Sequence, residues 1–132
     1  MYCMKKDFQK WHNKKSHISD IEKRPFFHER EIWFCRLGVN VGFEQDGTGE
    51  DFLRPVVIMR KFNNEIFWAV PLTKREKKTE FYFTFSFFGR GKNTAILSQI
   101  RLIDARRLDY KIGEISKNDF QILKNKLKAL LP

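Results

Sequence analysis

Cysteine is scarce: Cys3 and Cys35 are the only two in 132 residues, and neither belongs to a Cys-x-x-Cys pair. That excludes a disulfide framework and a thiolate zinc site, and makes a reducing cytoplasm the expected setting. Histidine is nearly as sparse. His12, His17 and His28 all fall in the first 30 residues, so a two-histidine acid-base mechanism would need that segment to fold over a site elsewhere. No apolar run approaches the ~20 residues of a membrane helix, and the polar, basic N-terminus lacks a signal-sized apolar stretch. The acids Glu44, Asp46, Glu50 and Asp51 cluster without the spacing of a calcium loop. Neither a metal nor a cofactor is expected.

Acid is also short relative to base. Lys and Arg number 26 against 16 Asp and Glu, a formal charge of +10 with a pI near 9.8. Such a surplus favours a polyanionic partner, either nucleic acid or an acidic protein segment. What the chain does have in quantity is aromatic bulk, with 14 Phe and 15% aromatics, a bias that suits half-buried pleated strands. The length fits one core.

Residues 1–30 differ in texture from the rest, with eight Lys or Arg, four Asp or Glu and little strand-like alternation. They read as an extension in which Phe8, Trp11 and Lys15 lie at the spacing of one short amphipathic helix, ended by Pro25. The second unit, residues 31–132, is a mainly β domain. Strands are predicted over 31–37, 54–61, 65–72 and 81–88, with further strand material over 94–104. The Asn63-Asn64 pair reverses the chain between the second and third of these. A long polar loop precedes Leu53, and loops of that length tend to be functional. Ser116 and Asp119 form a near capping box, and Phe120, Leu123, Leu127 and Leu130 then repeat on one helical face.

Several short motifs follow one another in a fixed order. They are Gly42-Phe43-Glu44-Gln45, then Arg54-Pro55 running into Val56-Val57-Ile58, then Pro71-Leu72-Thr73, then Leu97 through Asp104, Arg107-Leu108 and Lys111-Ile112-Gly113. Across residues 31–131 the chain thereby resembles the MazF/PemK family of toxins. It departs from the family pattern in the insertion Gly47 to Leu53 and in Phe43, which stands where a small residue is usual.

The resemblance implies an SH3-like small β-barrel with a C-terminal helix, assembled as a homodimer whose interface groove holds single-stranded RNA. It implies metal-independent cleavage in which the ribose 2′-hydroxyl attacks the adjacent phosphate. On that reading Arg54 stabilises the phosphorane charge, because a guanidinium fork matches phosphate oxygens. Thr73 holds the scissile phosphate, and Glu44 is the candidate general base. Gln45, Lys74, Arg75, Gln99 and Arg101 are the expected RNA contacts. If 94–104 is one strand, Gln99 and Arg101 share a face and Ser98 points away. Some family members carry an acid at the position of Ser98, so the serine argues against a catalytic carboxylate there.

The basic turn Lys74, Arg75, Lys77 and Lys78, with Arg90 and Lys92, supplies phosphate-tracking charge beside aromatics expected to be exposed, such as Tyr82, on which bases of an unpaired strand can stack. The resemblance further implies an acidic antitoxin protein as partner, a cytoplasmic location and no membrane association. Two other functions fit the same barrel: a non-catalytic toxin that binds a protein target such as gyrase, and an RNA-binding barrel that does not cut. The gyrase-directed toxins act through an aromatic tail after the last helix, whereas this chain ends Lys128-Ala129-Leu130-Leu131-Pro132.

Overall fold

The computed structural model describes residues 25–37 and 53–132. The predicted N-terminal helix with Phe8 and Trp11, and the loop carrying Glu44 and Gln45, lie outside the described residues. The described residues form seven strands: β1 (Glu31–Arg36), β2 (Leu53–Lys61), β3 (Ile66–Thr73), β4 (Tyr82–Phe87), β5 (Gly91–Ile96), β6 (Arg101–Asp104) and β7 (Leu108–Glu114). One helix follows, α1 (Lys117–Ala129).

Every pairing is antiparallel, and the strand order is β4-β5-β3-β2-β1-β7, with β6 lying along β3. Closure into a barrel was the expectation from the resemblance, and here it requires correction. The seven-stranded sheet stays open, for no ladder joins β4 to β7 among the described residues. Closure depends on strand tilt and stagger, which motif order does not specify. The two edges instead approach through side chains, with Phe87 of β4 lying against Gly113 of β7.

β2 explains why the sheet has two cores. Val56, Val57, Ile58 and Met59 are all buried, the signature of a central strand covered on both faces. On one face Val57 joins Ile32, Val70, Leu72, Phe85, Phe87 and Ile115 beneath Phe120 and Leu123 of α1. On the other, Val56 and Ile58 pack with Phe27, Trp33, Cys35, Phe67, Ala69 and Ile103. Each fully buried aliphatic or aromatic side chain contributes about 1.5–3 kcal/mol. Ahead of β1, Phe27 is fully buried, with its ring centroid 5.0 Å from that of Phe67 and the Lys61 ammonium 4.5 Å above it.

Local chemistry fixes the turns. Asn63 Oδ1 accepts the amides of Glu65 and Ile66 at 2.7 and 3.0 Å, so the asparagine shapes the β2-β3 reversal. Ser116 Oγ accepts from the Asp119 amide at 3.0 Å and caps α1 as anticipated. The stretch 94–104 is not one strand. Leu97–Gln99 form a 3-10 turn between β5 and β6, so the alternation assumed for Ser98, Gln99 and Arg101 does not apply to Ser98 and Gln99.

Beside the turn into β1, the Glu31 carboxylate is buried yet well partnered. It accepts from the Trp33 indole and the His28 amide, both at 2.9 Å, and lies 3.3 Å from Lys111 Nζ. Burial alone would raise its pKa. The hydrogen bonds from Trp33, His28 and Lys111 outweigh that effect and hold the carboxyl below its ordinary value.

Candidate active site

Arg54 is the second residue of β2 and is buried. In the β1-β2 ladder it stands opposite Cys35, as Val56 stands opposite Trp33. Register partners project to the same face, so Arg54 belongs with the second core, at the strand end nearest the preceding loop. In the β2-β3 ladder Val56 faces Pro71 and Val57 faces Val70. Carried two positions further, that register sets Arg54 across from Thr73.

Thr73 ends β3 and is half-buried. Val70 and Leu72 point to the helix-covered core, so alternation turns Thr73 to the face that carries Arg54. β3 exchanges neighbours here: Leu72 and Thr73 pair with Ala95 and Thr94 of β5. The Thr94 hydroxyl is buried 2.7 Å from that of Thr84, which secures the backbone under Thr73. Thr73 Oγ1 accepts the Arg75 amide at 3.2 Å. The basic turn therefore starts from the threonine hydroxyl, with Lys74 and Arg75 exposed.

Arg101 opens β6 opposite Ala69, and Ala69 and Ile103 both belong to the second core. Arg101 thus shares the face of Arg54 and Thr73. Gln99 is half-buried in the 3-10 turn that precedes β6, where strand alternation does not set its direction. Glu44 and Gln45 lie outside the described residues, so the general base expected from the sequence has no position here.

Two arginines outside the predicted site extend this cationic end. Arg107 Nη1 donates to the Arg36 carbonyl at 3.0 Å, and Arg36 lies 3.7 Å from Asp109. Arg107, Arg101 and Arg36 all act on the Cys35 thiol. Their charges lower its pKa but do not offset burial, which pushes it up to about 12. Cys35 is consequently a neutral packing residue, not a nucleophile. The sequence places Arg36 in the first strand and Arg107 in the Arg107-Leu108 motif without assigning either to the site; only the fold brings them together.

Along the C-terminal half of α1 runs an apolar groove of about 780 Å³, lined by Met59, Trp68, Leu97, Leu127 and Leu130 among others. Arg60, Lys124 and Lys128 also line it, as do Ser98 and Arg101. Trp68 and Leu102 remain 45% and 55% exposed among the described residues.

Residues 28–131 match the family described as PemK-like, MazF-like toxin of type II toxin-antitoxin system. Among solved structures, the chain is similar to an endoribonuclease from a mycobacterial species in complex with its cognate antitoxin. The TM-score is 0.63 at 16% identity, over 81% of this chain and 98% of that one. It is also similar to MazF from Deinococcus radiodurans, with a TM-score of 0.62 at 18% identity over 82% and 96% of the two chains. A MazE-MazF structure from the same organism aligns with a TM-score of 0.57 at 15% identity, over 82% of this chain and 95% of the other. At such identities the likeness establishes the fold. No curated protein sequence matches this chain.

Proposed function

Because the chain belongs to the PemK-like, MazF-like toxin family of type II toxin-antitoxin systems, we propose that it is an endoribonuclease that cuts single-stranded RNA without a metal ion. The observation that supports this reading is the β2-β3 register, whose last pair is Val56 and Pro71; continued for two residues it would set Arg54 across from Thr73. A guanidinium and a hydroxyl on adjoining strands form the proposed cradle for one phosphodiester, and Arg101 on the same face serves the flanking RNA.

In the proposed reaction the ribose 2′-oxygen attacks the adjacent phosphorus. The bond from phosphorus to the 5′-oxygen breaks, leaving a 2′,3′-cyclic phosphate and a 5′-hydroxyl. Arg54 neutralises the charge that grows on the equatorial oxygens, where a buried guanidinium acts more strongly than an exposed one. Thr73 and the turn that begins on its hydroxyl hold the phosphate. Glu44 is the proposed base for the 2′-hydroxyl proton. Gln45, Lys74, Arg75, Gln99 and Arg101 contact the flanking RNA, and the +10 charge steers the strand inward.

The proposed partners besides RNA are an acidic antitoxin, which the charge favours, and a second copy of the chain in a homodimer. The proposed setting is the cytoplasm. Incubation with unstructured RNA in excess EDTA tests the activity. Fragments ending in cyclic phosphate are expected; RNA that is retained but left intact would replace the nuclease by a binding protein.

A further inference from the structure

On the opposite face of the same strand end, Phe34 and Tyr110 form an aromatic pair that the proposed reaction leaves unused. Phe34 of β1 stands opposite both Pro55 of β2 and Tyr110 of β7. The ring centroids are 5.1 Å apart with the planes at 41°. The Arg90 guanidinium, in the β4-β5 turn, is 5.9 Å from the Phe34 centroid. Lys74 Nζ donates to the Arg90 carbonyl at 2.6 Å and so ties that turn to the end of β3. Tyr110 is 48% exposed, and Arg90 and Lys74 are exposed as well.

This platform adjoins the proposed cleavage site through the backbone. Pro55 follows Arg54 in β2 and so faces the aromatic side, and Lys74, which follows Thr73 just past the end of β3, is tied to that side by its bond to the Arg90 carbonyl. An exposed ring paired with a second ring that a guanidinium overlies, with an ammonium tied to the same turn, has the composition of a stacking surface for unpaired bases, where the ring takes the base and the cations take the phosphates. Every base offers a π-face, so such a surface tolerates sequence while fixing the direction of the strand.

We propose that Phe34, Tyr110 and Arg90 form a stacking subsite for one base of single-stranded RNA flanking the scissile step, with Lys74 on the adjoining phosphate. This inference rests on the reading of the chain as a ribonuclease, and the experiment separates the two. Wild type, Tyr110→Ala and Tyr110→Trp are compared in RNA cleavage. They are also compared in fluorescence with short single-stranded oligodeoxynucleotides carrying 2-aminopurine at successive positions; these lack the 2′-hydroxyl nucleophile and stay intact.

Tyr110→Ala is expected to raise KM roughly tenfold while kcat changes less than twofold, the size of one lost base stack. The 2-aminopurine signal is expected to be quenched at one position by the wild type and by Tyr110→Trp, and not by Tyr110→Ala. Unchanged KM and unchanged quenching in Tyr110→Ala would overturn the subsite. Quenching through Tyr110 by a wild type that cuts no RNA would leave the subsite in place and remove the nuclease reading.

Discussion

A methyl group added to Gly113 would lie 2.9 Å from Cδ2 of Phe87 and 3.1 Å from its Cε2. Gly113 sits near the end of one edge strand of the sheet and Phe87 at the end of the other. The two edges therefore meet by a ring resting on bare backbone, not by hydrogen bonds. Phe87 is buried in the core beneath α1, so its ring has little room to withdraw. Gly113→Ala is expected to destabilise the fold by about 1–3 kcal/mol, the usual cost of overpacking. Urea unfolding measures this, with the midpoint falling and the slope unchanged; an unaltered midpoint would show that the edges do not bear on one another.

How far the fold was legible follows from which residues face two environments and which face one. β2 and β3 announced themselves because Val56 through Met59 and Val70 through Leu72 are continuously apolar and buried. The helix was legible from Ser116 and from Phe120 and Leu123, which are buried at the predicted spacing. The sequence predicts no strand over β7. In Leu108–Glu114 only Leu108 is buried, so an edge strand with one anchored side chain shows no period for the eye to find. The open sheet was equally hidden, since Gly113 and Phe87 are far apart in sequence and neither is unusual alone. At the site, Arg54 and Thr73 were legible only through motif order. Their shared face depends on the ladder register, and the Phe34-Tyr110 pair depends on β7, whose residues show no strand period.

Glu31 should set part of the acid limit of stability. Its folded pKa is lowered, so its contribution is present above the ordinary carboxylate value and is lost as pH falls through the lower folded value. Glu31→Gln keeps the shape but loses charge-assisted bonds to the Trp33 indole, the His28 amide and Lys111. The variant is expected to be less stable by about 1.5–3 kcal/mol at pH 7. It should also show a flatter loss of stability between pH 5 and the acid transition. Parallel acid limbs for the two proteins, followed by thermal melts across pH, would remove Glu31 from this role.

Cys35 is fully buried, and its thiol is pushed up to about 12. The folded state thus holds the protonated form, whose benefit is complete below the ordinary thiol pKa and fades as pH rises toward 12. In a Cys3→Ser background, iodoacetamide at pH 8 is expected to leave the native protein unlabelled and to label it fully in denaturant. Mass spectrometry reads the outcome. Native labelling at the rate of a free thiol would mean that β1 opens on the timescale of the reaction.

Arg54 offers the sharpest test of the proposed chemistry, and its burial decides which substitution is informative. With 9% of its surface exposed, Arg54→Ala would remove packing at the end of the second core as well as charge, so lost activity could reflect a loosened strand end. Arg54→Lys keeps the positive charge and most of the stem while removing the planar fork that grips two phosphate oxygens. Thr73→Val keeps the shape of the side chain and removes the hydroxyl that receives the Arg75 amide. Arg54→Lys is expected to lower kcat by about 10²–10³, the loss typical of one removed donor to developing charge, with KM changing far less and the thermal transition staying within a few degrees. Thr73→Val should lower kcat in the same direction by a smaller factor. Because both residues are proposed to act on one phosphate, the double variant should lose less than the product of the two single losses. Wild-type turnover by Arg54→Lys would remove the guanidinium from the mechanism. Strictly multiplicative losses in the double variant would separate Arg54 and Thr73 into independent roles.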